Sequence, residues 1–189
     1  MECVSPIKEI DQINSIKEKL QKQSLRDYLL FVFGINTGIR VHDLLSLKVS
    51  DVWDGQSVRE FLTISAENIE APKVHYLNQQ VKTALENYLA GAGGLLQDGD
   101  FLFKSKKNNL PITRQQAYRI INGVAKEVGI TEKIGMHTLR KTFGYHAYRK
   151  GIAISILMDI YNHHTHAETL RYIGIEKDEE PYIKVDVNL

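Results

Sequence analysis

Five side chains, far apart in the chain, could act together on a phosphodiester. Arg40 and Arg140 carry permanent positive charge, and each planar guanidinium can hold two phosphate oxygens at once. His137 and His163 can move protons near neutral pH. Tyr172 offers a hydroxyl that can attack phosphorus and keep the cut strand as a covalent ester. Negative charge grows on the phosphate in such a reaction, so fixed cations aimed at it supply much of the catalysis. A phenol titrates near pH 10, so it needs cationic neighbours or a base to react.

The elements that must position these groups can be read from periodicity and stop signals. Leu25, Tyr28, Leu29, Val32 and Phe33 mark one face of a helix that should stop at Thr37-Gly38. Arg40 therefore sits where this helix ends and a short one, Val41 to Leu47, begins. Val81, Ala84, Leu85, Tyr88 and Leu89 repeat the spacing up to Gly91, and Gly91 to Gly99 reads as a loop. Thr113 with Gln116 forms a capping box for a helix whose stripe runs from Ala117 to Val128. Further helices are expected over about Leu139 to Arg149, Ile154 to Tyr161 and Ala167 to Ile173. His137 and Arg140, three apart at a helix start, can face the same way. Glu60 to Ser65 and Val74 to Leu77 are rich in strand formers, with Ala66 to Lys73 as the hairpin turn. The fold class is α+β, predominantly helical, with helices around a small antiparallel sheet.

Composition bounds the partners. The 189 residues, 43% hydrophobic and 25% charged, suit one core and not two comfortable domains. No apolar run is long enough to span a membrane, and the first thirty residues lack a secretory core. The single cysteine, Cys3, cannot form an internal disulfide, so a cytoplasmic location is the simplest reading. A net charge of +1 is low for a protein that grips DNA unaided, so any contact with phosphates must be local. Lys104, Lys106 and Lys107 read as a solvated loop. His163, His164 and His166 have the residue type of a metal site but lack partners at ligand spacing, apart from Glu168.

Three segments resemble the motifs of tyrosine recombinases, the phage integrase family. NTGIRVHDLLSLKVSDV, Asn36 to Val52, looks like the first arginine box. MHTLRKTFGYHAYRKG, Met136 to Gly151, looks like the His-x-x-Arg box, and ILMDIYNHHTHAETLRYI, Ile156 to Ile173, looks like the final box. The resemblance spans about Ser24 to Ile173. It implies a DNA breaking-and-rejoining fold and site-specific recombination of double-stranded DNA. Arg40 and Arg140 would clamp the scissile phosphate, His137 would act as acid and base, and His163 would hydrogen-bond the phosphate. Tyr172 would attack, giving a 3′-phosphotyrosine and a free 5′-hydroxyl. The resemblance also implies a homo-oligomer, a tetramer on DNA, with no metal, no nucleotide cofactor and no membrane partner.

The sequence departs from the family in several places. Family members carry a lysine on the hairpin that protonates the leaving oxygen; the matching position is Asn68, which cannot do so. Lys73, five residues on, is the candidate substitute, and slow cleavage is the other expectation. Tyr161-Asn162 stands where Leu-Gly is usual, and Lys141 replaces a common histidine; neither change is expected to touch a catalytic atom. The chain reads as a single catalytic domain over 1–189, without the N-terminal helical domain that closes around DNA in the family. Pro181 to Leu189 alternates like a strand that could pair with a neighbouring subunit. Two other readings stay open: relaxation of supercoils as in type IB topoisomerases, and a catalytically weak DNA-binding remnant.

Overall fold

The computed structural model describes residues 4–64 and 72–176. Asn68 and the Pro181–Leu189 segment lie outside the described residues. The chain order is α1 (Ile10–Gln23), α2 (Leu25–Thr37), α3 (Val41–Ser46), α4 (Val49–Val52), β1 (Phe61–Ile64), β2 (Lys73–Tyr76), α5 (Gln79–Gly91), α6 (Arg114–Glu127), α7 (Met136–Arg149), α8 (Ile154–Tyr161) and α9 (His166–Ile173).

Helix α2 is the centre of the core and packs against α1, α5 and α7. Its sequence stripe implies one buried face, but Leu29, Leu30, Phe31, Val32 and Phe33 are all fully buried. The helix is therefore enclosed on every side, and each such side chain contributes roughly 1.5–3 kcal/mol by leaving water. Phe33 meets Phe103 edge-on, with ring centroids 6.5 Å apart. A second apolar cluster, Tyr145, Leu157, Tyr161, Ile173 and Ile175, lies under α7, α8 and α9. The loop leading into α1 is tied to α7: the Ile7 N–H donates to Thr142 Oγ1 at 2.9 Å, and Lys141 Nζ donates to Val4 O at 2.7 Å.

Local chemistry sets the ends that matter for the site. Gly38 closes α2 with φ +62°, and a Cβ there would lie 2.4 Å from the Phe143 ring, so only glycine fits. In α6, Thr113 Oγ1 accepts from the Gln116 N–H and Gln116 Oε1 accepts from the Thr113 N–H, which completes the expected capping box. Helix α7 begins at Met136, three residues before the expected Leu139, because Thr138 Oγ1 accepts from the Gly135 N–H at 3.1 Å and stabilises the first turn. His137 is thus inside the helix.

The two strands pair antiparallel, Phe61 opposite Tyr76 and Ile64 opposite Lys73. Lys73 is not in the turn, as the sequence suggests, but is the first residue of β2. Alternation along a strand then puts Lys73 and His75 on the inward face, while Val74 and Tyr76 point to solvent. Short elements escaped the periodicity: α4, and the bridges Lys48–Phe101 and Lys104–Pro111.

Candidate active site

Arg40, His137, Arg140, His163 and Tyr172 line one cavity of about 310 Å³, together with Val41, His42, Met136 and Tyr161. The five sequence-derived residues come from the start of α3, the first two turns of α7, the loop before α9 and α9 itself.

Arg140 is the most constrained of them. It is only 8% exposed, and burial lowers its pKa; a guanidinium nevertheless stays charged. Its Nη1 donates to the carbonyl of Gly38, at the end of α2, and its Nη2 donates to the Ile160 carbonyl at 2.9 Å. It also hydrogen-bonds Tyr172 and lies over the Tyr161 ring, 4.6 Å from the centroid. Arg40 is exposed at the N-terminus of α3 and acts electrostatically on both Arg140 and Tyr172.

The Tyr172 phenol is held by opposing influences. Burial raises its pKa, while the charge and hydrogen bond of Arg140 and the charge of Arg40 lower it. Burial is the largest influence, so the phenol stays protonated at neutral pH. Tyr172 packs against Tyr161, with centroids 4.9 Å apart, and edge-on against His163 at 5.1 Å. Lys141 Nζ lies 5.2 Å from its ring centroid.

The two histidines are held differently. His163 Nδ1 faces Thr169 Oγ1 at 3.0 Å, and that hydroxyl in turn donates to Thr165 O. The threonine therefore accepts from Nδ1–H, which leaves Nε2 of His163 as the other hydrogen-bonding atom. Burial lowers its pKa, partly offset by Glu168. His137 Nε2 faces Arg114 Nη2 at 2.8 Å, and burial, Arg114, Lys141 and Arg140 all lower its pKa. Among the described residues no group of three metal-ligating side chains gathers, and His164 and His166 are exposed.

Lys73 lies beside the cavity. Its Nζ donates to Ile160 O at 3.4 Å, the carbonyl that also accepts from Arg140. Burial, Arg40 and Arg140 lower its pKa, opposed by Asp43 and Asp159. Lys104 is paired with Asp100 at 3.1 Å, away from this cluster.

The two departures, Tyr161 in the last box and Lys141 in the His-x-x-Arg box, pack directly on residues of this cavity. Tyr161 touches Arg140 and Tyr172, and Lys141 lies over Tyr172. Asn162 adopts the left-handed conformation, φ 62°, that glycine usually supplies at a helix end, and asparagine is among the side chains that tolerate it best. Arg114 escaped the sequence reading, because an exposed arginine at the start of a helix gives no signal of its own.

Helices around a two-stranded hairpin, with two guanidiniums and a phenol at one cavity, define the catalytic fold of tyrosine recombinases. The XerH site-specific recombinase, solved bound to palindromic difH substrate in a post-cleavage complex, superposes with a TM-score of 0.71 at 18% identity, covering 94% of this chain and 52% of that one. The probable integrase/recombinase YoeC of Bacillus subtilis (strain 168) is 37% identical over 178 residues, 94% of this chain and 93% of the relative. A tyrosine recombinase of Pseudothermotoga lettingae is 29% identical over 155 residues, 82% of this chain but 51% of that protein. The chain thus spans nearly all of YoeC and about half of the longer recombinases. Residues 6–179 match the phage integrase family, and the chain belongs to it. Among the described residues, no helix is long and apolar enough to cross a membrane.

Proposed function

We propose that this chain is the catalytic domain of a site-specific recombinase that cuts and rejoins double-stranded DNA through Tyr172. One observation supports this above the others: Arg40, His137, Arg140, His163 and Tyr172 border a single cavity. The scissile phosphate sits between the guanidiniums of Arg40 and Arg140 and accepts a hydrogen bond from His163. The Tyr172 oxygen bonds to phosphorus as its proton passes to His137. The bond from phosphorus to O5′ breaks, and O5′ takes a proton from Lys73. The products are a 3′-phosphotyrosine and a 5′-hydroxyl, and attack by the 5′-hydroxyl of a second strand reverses the step. Because Asn68 stands at the usual lysine position, Lys73 carries the leaving-group role or cleavage is slow. The enzyme works as a homo-oligomer, a tetramer, on DNA.

The test is covalent capture. The protein is mixed with nicked duplexes carrying a randomised core, and adducts that survive denaturation are isolated and sequenced. The reading expects an adduct with a preferred sequence, abolished by Tyr172→Phe. No adduct from the native protein, or one that persists in the phenylalanine variant, rejects it. Relaxation of supercoiled plasmid without sequence preference would instead favour the topoisomerase-like alternative.

A further inference from the structure

We propose that Arg114 positions His137: it holds the imidazole through Nε2 in the free enzyme and moves to a DNA phosphate when the substrate enters. The inference rests on the recombinase reading above and adds a third arginine to its site.

The starting point is the 2.8 Å contact between Arg114 Nη2 and His137 Nε2. A guanidinium has only donors, so Nε2 must present its lone pair. The contact therefore selects the neutral imidazole with its proton on Nδ1. That is the form able to accept a proton, as the base for Tyr172 must be. Burial, and after it the charges of Arg114, Lys141 and Arg140, all disfavour the imidazolium and so reinforce the neutral form. Arg114 thus keeps the base neutral and at the same time occupies the nitrogen that would take the proton.

Occupation of Nε2 would block proton transfer if it persisted, so Arg114 needs somewhere else to go. A second cavity, about 670 Å³, shares Met136, His137 and Tyr172 with the first and is lined also by Arg114, Lys133 and Lys141. Of the two, Arg114 lines the second cavity only, and meets their junction through His137; it lies on the first turn of α6, where its side chain is exposed. A phosphodiester adjoining the scissile one brings a negative charge to that junction. A guanidinium binds such a phosphate through paired charge-assisted hydrogen bonds, which are stronger than one bond to a neutral ring. The transfer frees Nε2 at the moment the scissile phosphate is in place.

The test compares native protein with Arg114→Ala and Arg114→Lys, after checking that all three melt at similar temperatures. In protein labelled with 15N-histidine, the His137 signal is assigned by its loss in His137→Gln. Without DNA, the native His137 is expected as the Nδ1–H tautomer, titrating below an ordinary histidine. In Arg114→Ala the tautomers should mix and the titration should move upward; in Arg114→Lys the charge remains but the tautomer preference weakens. On the nicked duplexes captured above, single-turnover adduct formation by Arg114→Ala should fall about tenfold, a fraction of a whole acid-base contribution. Its pH profile should move with the His137 titration, and the salt slope of binding should shrink by about one. An alanine variant with the native tautomer and titration overturns the His137 contact. Native rate and salt slope in that variant overturn the transfer to phosphate. Absence of an adduct with native protein rejects the recombinase reading itself, and the tautomer measurement still decides the Arg114 contact.

Discussion

The Tyr161 hydroxyl donates to the Arg140 backbone carbonyl at 2.8 Å, while the Arg140 guanidinium lies across the face of the same ring. One tyrosine thereby braces the arginine at both its main chain and its side-chain tip. The hydroxyl also accepts from the Gly144 N–H, so it enters the α7 ladder between residues four apart.

Tyr161→Phe keeps the ring and removes the hydroxyl. Both α7 groups lose a buried partner, and the expected cost is about 1–3 kcal/mol. Chemical denaturation should show this loss, whereas adduct formation under stabilising conditions should stay near the native rate, because the ring still supports the guanidinium.

Gly144→Ala tests the same junction from the other side. A Cβ at Gly144 would lie 2.2 Å from Tyr161 Oη and 2.6 Å from Ile173 Cγ2. Helix α7 must then separate from α8 and α9, at about 1–3 kcal/mol. Both thermal stability and adduct yield should fall, and a variant that retained both would show that the close approach is not required.

Lys73→Ala should be examined on a normal duplex and on one whose leaving oxygen is replaced by sulfur. Sulfur departs without a proton, so only the normal duplex should suffer, by about 10²–10⁴-fold if Lys73 is the acid. Equal losses on the two substrates would remove Lys73 from that role.

His163 gives a prediction for binding. Its pKa is low in the free protein, chiefly from burial, so at neutral pH it is largely uncharged. To donate through Nε2 to a phosphate while Nδ1–H is held by Thr169, it must take up a proton. DNA affinity should therefore rise as pH falls towards and below about 6.5, with a limiting slope of about tenfold per pH unit for one proton. His163→Gln, which can donate at any pH, should flatten that slope in a fluorescence anisotropy titration.

His75 gives a prediction for stability. It is 7% exposed, and Nδ1–H donates to Thr37 O at 3.0 Å. Burial lowers its pKa, with further lowering from Arg140 and Lys73. The unfolded chain then binds a proton before the folded one does. The contribution is complete above the unfolded value, about 6.5, and is lost as pH falls through the lower folded value. His75→Asn should reduce the acid sensitivity of the melting temperature; His137 and His163 are lowered in the same direction and will retain the remainder.

Much of this arrangement is legible in the amino-acid sequence. Long amphipathic runs ending at Gly38 and Gly91, and the Thr113–Gln116 pair, gave their helices nearly to the residue. The five candidate residues stand out because spacing along three segments repeats a family pattern, and they border one cavity. Lys73 reads as a turn residue because lysine is a poor strand former and a four-residue strand carries little periodic signal; pairing with Ile64 across the sheet is what brings it into β2. The contacts of Tyr161 and Arg114 are not legible for a different reason. Their partners lie 21 and 23 residues away, and only the packing of α8 on α7 and of α6 beside α7 brings them together.

Both carbonyls that orient the Arg140 guanidinium, at Gly38 and Ile160, belong to the main chain. No codon change can delete either acceptor. Side chains around the site can drift while the arginine keeps its aim, provided the backbone holds its path. A protein can thus share 18% of its residues with XerH and still keep the same fold around a main-chain cradle of this kind.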